Sequence, residues 1–128
     1  MPHLTLEVSN GLDKIVDLGA LCATLRDALL ATGAFPLGGI RVRAFVASAQ
    51  AVADGSPDLH FADMVLRIGR GRDLVTRQCI GETVYAAAET ALHPQLGAQP
   101  FALSLDLREN GEVAEKRWNT IHAHLDRA

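Results

Sequence analysis

Apolar and polar residues alternate from the third position: Leu4, Leu6 and Val8 interleave with His3, Thr5 and Glu7, the period of two that predicts a strand. Ser9-Asn10-Gly11 ends the run as a turn or loop. The period then changes. Leu18, Leu21, Cys22, Leu25 and Leu29 recur at three- and four-residue spacing and predict a helix, with Asp13 or Asp17 as its N-cap and Gly33 in a left-handed position behind Thr32. Pro36-Leu37-Gly38-Gly39 is a connection. Residues 40–46 alternate again, with Arg41 and Arg43 on one face and Ile40, Val42 and Ala44 on the other, as a second strand does.

After a break at Asp54-Gly55-Ser56-Pro57 the same order returns. Residues 60–68 predict a third strand, in which Ala62, Met64, Leu66 and Ile68 oppose Phe61, Asp63, Val65 and Arg67. Gly69-Arg70-Gly71-Arg72 turns the chain. Asp73 caps a long alanine-rich helix running to about Leu92, where His93-Pro94 is expected to stop it. Residues 101–107 predict a fourth strand. Asn110-Gly111, between Leu107-Arg108-Glu109 and Glu112-Val113, carries the signal of a type I′ hairpin. Residues 118–125 read as a short helix or an arm, with Trp118 as an anchor on a neighbouring subunit.

Strand–helix–strand twice over predicts an α/β (α+β) fold: one domain of two β-α-β pseudo-repeats, at about 2–48 and 58–107, with a C-terminal hairpin or arm over 108–128. Each crossover is expected to be right-handed and to join a parallel pair. Two helices cover only one face of a four-stranded sheet. The other, expected to include Leu4, Leu6 or their neighbours, calls for other subunits to cover it.

Composition removes several classes of function. In 128 residues, 48% apolar and 21% charged positions describe a globular chain rather than a disordered one. A net charge of −3 without any Lys/Arg run argues against a nucleic-acid partner. No stretch is long and apolar enough for a membrane span, and Glu7 and Asp13 interrupt any signal-peptide core, so a cytoplasmic location is expected. Lys14 and Lys116 are the only lysines among 12 basic residues; the rest are arginine, whose planar fork suits carboxylates. Cys22 and Cys79 lie in apolar helical surroundings and read as buried thiols rather than a disulfide. Neither has the setting of a reactive thiolate.

Pro2 is the unusual candidate. A small second residue permits removal of Met1, which would leave a secondary amine at the end of a strand, where an internal proline has only an amide. A terminal amine titrates at roughly 7.7–8.0, and nearby cations and partial burial both favour its neutral, basic form. The plainer reading is an N-terminus without a role, unless cations converge there. Gly69-Arg70-Gly71-Arg72 lacks the GxxxxGK(S/T) pattern and the GxGxxG spacing, so it reads as a strand-to-helix turn rather than a phosphate loop. It leaves Arg72 at a helix N-terminus, which already favours anions. Arg41 and Arg43 fit an exposed strand face equally well. His122-Ala123-His124 lacks a third metal ligand at suggestive spacing, His60 and His93 suit capping or solvation, and no GxSxG elbow is present.

Four segments together change this picture: Met1-Pro2-His3 opening a strand, residues 31–43 (ATGAFPLGGIRVR), Ala53-Asp54-Gly55, and Ile68-Gly69-Arg70-Gly71-Arg72. They resemble the 5-carboxymethyl-2-hydroxymuconate isomerase family of the tautomerase superfamily, from Pro2 to about Leu107 and more loosely through Asn119 to Leu125. The resemblance implies two β-α-β units assembled as a homotrimer, and a cofactor-independent isomerase of homoprotocatechuate (4-hydroxyphenylacetate) degradation with no metal. It implies that Pro2, freed of Met1, is the general base, taking a proton from the 2-hydroxyl of a small polycarboxylate dienol and returning one to carbon. By the same resemblance Arg41 and Arg72 hold substrate carboxylates and stabilise the enolate. Alternation sets Arg43 two residues further along the same strand face and so second to them as a substrate contact, and Phe35 and Phe61 are candidates to line the apolar faces of the planar dienol. The alternatives are a relative acting on another 2-hydroxydienoate or phenylpyruvate-like enol, and a catalytically silent trimeric module that binds carboxylates.

Overall fold

Leu4, Leu6 and Val8 are fully buried while Glu7 is exposed, so the alternation in the first strand sorts the chain into an inside and an outside. In the computed structural model, which describes residues 1–113 and 116–126, this strand is β1 (His3–Val8). It is followed by helix α1 (Leu18–Ala31) and strand β2 (Arg41–Val46), and then by strand β3 (His60–Ile68), helix α2 (Leu74–Leu96) and strand β4 (Phe101–Glu109). A short helix, α3 (Ile121–Asp126), follows. The four strands form one sheet in the order β2-β1-β3-β4. β1 runs parallel to β2 and antiparallel to β3, and β3 runs parallel to β4, so each β-α-β unit contributes one parallel pair.

Both long helices lie on the same side of this sheet. Leu21, Leu25 and Leu29 of α1 and Ile80, Val84, Ala88, Leu92 and Leu96 of α2 are buried against Leu4, Leu6, Val8, Ala62, Met64, Leu66 and Ile68. Burying each of the larger side chains contributes about 1.5–3 kcal/mol. Asp17 is the cap of α1, accepting from the Ala20 N–H at 3.0 Å, and Asp73 caps α2 through the Thr76 N–H at 2.8 Å. Gly33 takes the left-handed conformation behind α1, at φ 73°.

Several expectations are corrected. Leu4 and Leu6 belong to the helix-covered face. By the strand register the open face carries Thr5, Glu7, Arg43, Asp63, Arg67 and Ser104 together with Phe45, Phe61 and Val65, so it is largely polar with apolar positions among the charges. α2 does not stop at His93-Pro94 but includes Pro94 and ends at Leu96. The proline removes one N–H within the last turn; the buried Leu96 and a Gly97 N–H donating to the His93 carbonyl (2.9 Å) hold the turn nonetheless. Beyond β4, Asn110 N–H donates to the Ile68 carbonyl at 2.8 Å and continues the β3–β4 edge instead of opening a hairpin. Gly111 to Val113 form no strand, and residues 114–115, on which a return strand would fall, lie outside the described residues. The thiols are free, with Cys22 only half-buried and Cys79 exposed. Burial raises the Cys22 pKa. Trp118 is 92% exposed on its own chain, which leaves the expected contact with a neighbouring subunit untouched.

Candidate active site

The topology brings six element ends to one end of the sheet. The starts of β1 and β2, the ends of β3 and β4, the end of α1 and the start of α2 meet there, because α1 returns the chain to the end where β1 began and the second unit runs antiparallel to the first. Pro2 stands directly before β1 and is fully buried. The Arg41 N–H donates to the Pro2 carbonyl at 3.0 Å, which ties the start of β2 to Pro2.

Arg41 is held by carbonyls. Its Nη1 donates to Gly38 O at 2.9 Å and to Ile40 O at 3.1 Å. That leaves the Nε/Nη2 edge, the side of a guanidinium that takes a carboxylate with two parallel bonds. Arg72 is held in the same manner: Nη2 donates to Ala34 O at 3.0 Å and Nη1 to Gly69 O at 3.3 Å, while its guanidinium carbon lies 4.8 Å from the centre of the Phe35 ring. A cation over an aromatic face is attracted to the ring, so the nearly buried Phe35 acts as a platform for Arg72. Gly39 stands against Pro36 and Met1, since a β-carbon on it would lie 3.7 Å from Pro36 Cγ and 3.6 Å from Met1 Cγ.

Arg43 lies two residues along the same face of β2, where its Nη1 is 3.1 Å from Nδ1 of His3. A guanidinium only donates, so that ring nitrogen accepts and His3 is neutral in this arrangement. The His3 pKa is lowered from its ordinary value, first by partial burial and then by the charges of Arg67, Arg43, Arg41 and the amino terminus. The residue next to Pro2 therefore registers a positive field.

Pro2 and Arg41 are thus in direct contact, Arg72 and Phe35 are in contact with each other at the same edge, and Arg43 sits beside them on the open face. Phe61 is not among them: it is six residues along β3 from Arg67, roughly 20 Å away at about 3.3 Å per residue. At that far edge, where His60 was expected to cap or solvate, it is instead buried, its Nδ1 2.7 Å from Ser9 Oγ. Ser9 Oγ in turn accepts from the Phe61 N–H at 3.1 Å.

Two neighbours of Pro2 escape the sequence patterns. Asn119 Nδ2 donates to Gly38 O at 3.3 Å and to the Met1 sulfur at 3.2 Å. The His122 ring lies so close to Gly38 that a β-carbon there would come 2.5 Å from its Nδ1. No periodicity marks either residue. The Gly38-Gly39 doublet is the one trace in the sequence, since glycine pairs suit close approach of another segment.

A sheet of two β-α-β units with both helices on one side is an architecture found in other solved structures. One described as a fused 4-OT wild type symmetric trimer superposes with a TM-score of 0.65, covering 91% of this chain and 95% of that one; at 17% identity the likeness is one of fold. Closer relatives narrow the class. The family model of 5-carboxymethyl-2-hydroxymuconate isomerase matches residues 2–125. The 5-carboxymethyl-2-hydroxymuconate Delta-isomerase of Escherichia coli is 35% identical over 123 residues, which is 96% of this chain and 98% of that protein. A crystal structure of a 5-carboxymethyl-2-hydroxymuconate delta-isomerase superposes with a TM-score of 0.90 at 36% identity, over 98% of this chain and 93% of that one. The chain belongs to the 5-carboxymethyl-2-hydroxymuconate isomerase family.

Proposed function

We propose that this protein is a cofactor-independent isomerase that converts 5-carboxymethyl-2-hydroxymuconate from its dienol to its 2-oxo-3-ene tautomer, in the cytoplasmic breakdown of 4-hydroxyphenylacetate. Family membership supports the reaction. The observation that carries the mechanism is the backbone hydrogen bond that ties Arg41 to Pro2, with His3 next in the chain held toward its neutral form by burial and by Arg67, Arg43 and Arg41. The same cations lower the proton affinity of a freed Pro2 nitrogen, so it is available as a base near neutral pH.

In this reading Met1 is removed and the secondary amine of Pro2 takes the proton of the 2-hydroxyl. The oxygen's electron pair forms the C2 carbonyl, the C2–C3 double bond moves to C3–C4, and the C4–C5 pair takes the proton back from Pro2 at C5. No electron leaves the substrate. Arg41 and Arg72 each present a guanidinium already anchored on carbonyls, and they hold two carboxylates and draw charge toward the 2-oxygen. Arg43 adds to the field, and Phe35 keeps Arg72 in place. A homotrimer is part of the proposal, supported by the trimer named for the fused 4-OT structure of the same fold.

The test is the ultraviolet ketonisation assay on two preparations whose N-termini are fixed by intact mass, one beginning at Pro2 and one with Met1 retained. General-base catalysis is worth roughly a hundredfold to ten-thousandfold, and the Met1 form is expected to be slower by that factor. Equal rates would remove Pro2 from the mechanism.

A further inference from the structure

Met1 is bonded to the Pro2 nitrogen, so whatever touches Met1 lines the space that opens in front of that nitrogen when Met1 is removed. The Gly39 backbone is one wall, since a β-carbon there would lie 3.6 Å from Met1 Cγ and 3.9 Å from its Cα. Asn119 is another, with Nδ2 at 3.2 Å from the Met1 sulfur. The orientation of this carboxamide is settled by its other end. Asn119 Oδ1 accepts the Ile121 N–H at 2.7 Å, so the NH2 group faces Gly38 and Met1. Gly38 O takes one N–H at 3.3 Å, while the other meets a thioether, which is a weak acceptor. The His122 ring seated on Gly38 holds this segment down.

The substrate proposed above carries three carboxylates and a 2-oxygen that becomes anionic, and two anchored arginines do not satisfy all of them. We infer that Asn119 is a substrate-binding residue: once Met1 is gone, the amide N–H now spent on its sulfur donates to an anionic oxygen of the molecule held at Pro2. That oxygen is a carboxylate or the developing enolate, and the kinetics tell the two apart. Loss of a carboxylate contact raises KM with kcat kept, and loss of an enolate contact lowers kcat.

This inference rests on the proposed reaction, and its test separates the two. In protein beginning at Pro2, Asn119→Asp keeps the acceptor for the Ile121 N–H but sets a negative charge against the substrate. Asn119→Ser keeps a shorter acceptor for the same turn and merely removes the donor. We expect kcat/KM to fall roughly tenfold to a hundredfold for Ser, as for the loss of a hydrogen bond to a charged group, and at least tenfold further for Asp, with both melting temperatures near that of the parent. The dissociation constant of a saturated, non-isomerisable tricarboxylate analogue should rise in the same order if the partner is a carboxylate. A role confined to the turn predicts that the two variants behave alike and follow their melting temperatures. That result, or parental kinetics in both, overturns the inference. If the unsubstituted protein fails to ketonise the dienol, the reaction is wrong, and the analogue's order of binding to the three proteins then decides whether Asn119 holds a carboxylate: unchanged binding across the three overturns the inference.

Discussion

Gly38→Ala should separate the activity of this protein from its stability. The new β-carbon would lie 2.5 Å from Nδ1 of His122, 3.0 Å from Cε1 and 3.1 Å from Cγ. That is roughly 1 Å short of ordinary van der Waals contact, so one side must move. Gly38 is buried, and its carbonyl is tied to Arg41. α3 buries little apolar surface, with Ile121 and Leu125 exposed by 43% and 37%. The helix therefore yields, and Asn119 is carried with it. Losing the Asn119–Gly38 hydrogen bond costs about 1 kcal/mol. Opposing this, Gly38 is not in a positive-φ conformation, so alanine stabilises by about 0.4–1 kcal/mol through the unfolded chain. The two nearly cancel, and the melting temperature should stay within about 5 °C of the parent. Activity should not be spared: kcat/KM is expected to fall roughly tenfold as the Asn119 donor leaves. Limited proteolysis should cut faster within residues 116–126. Full activity with an unchanged proteolytic pattern would mean that the ring turns aside without releasing the segment, and the reasoning would fail. A melting temperature lower by more than about 10 °C would refute it from the other side, by making α3 part of the cooperative core.

Two further outcomes test the field and the sheet. Arg67→Ala should raise the His3 pKa toward its ordinary value of 6.5, because Arg67 is the largest charge acting on it after burial, and a histidine titration by NMR would read this directly. The folded value lies below the unfolded one, so the stabilising contribution is complete above about pH 6.5 and is lost as pH falls through the folded pKa. An unmoved titration would dismiss the charge and leave burial alone. Leu66→Ala, at a fully buried position of β3 beneath the helices, should cost about 2–5 kcal/mol in urea unfolding, whereas Val65→Ala on the opposite face should cost far less. Similar losses for both would mean that the open face is covered as tightly as the core.

The strands and the first helix were legible because each repeats a period against a buried partner. Leu4, Leu6 and Val8, and again Ala62, Met64, Leu66 and Ile68, declare one face of the sheet by alternation, and Asp17 and Asp73 declare the helix starts through their own backbone bonds. Alternation does not say which face the helices choose, so it leaves open whether Leu4 and Leu6 or their neighbours lie on the uncovered side. At Pro94 a local rule lost to a tertiary contact, since burial of Leu96 carries the helix two residues past the proline. The candidate site divides along the same line. Pro2 and Arg41 head adjacent parallel strands, and a strand–helix–strand reading already brings them together. Asn119 reaches Met1 across 118 residues from a segment with no period, and it meets the sheet through the bare backbone of Gly38. What a pattern search can detect of such a contact is only the missing side chain on the receiving side. A glycine doublet beside a site residue is therefore a signal to look for a distant segment that closes over it.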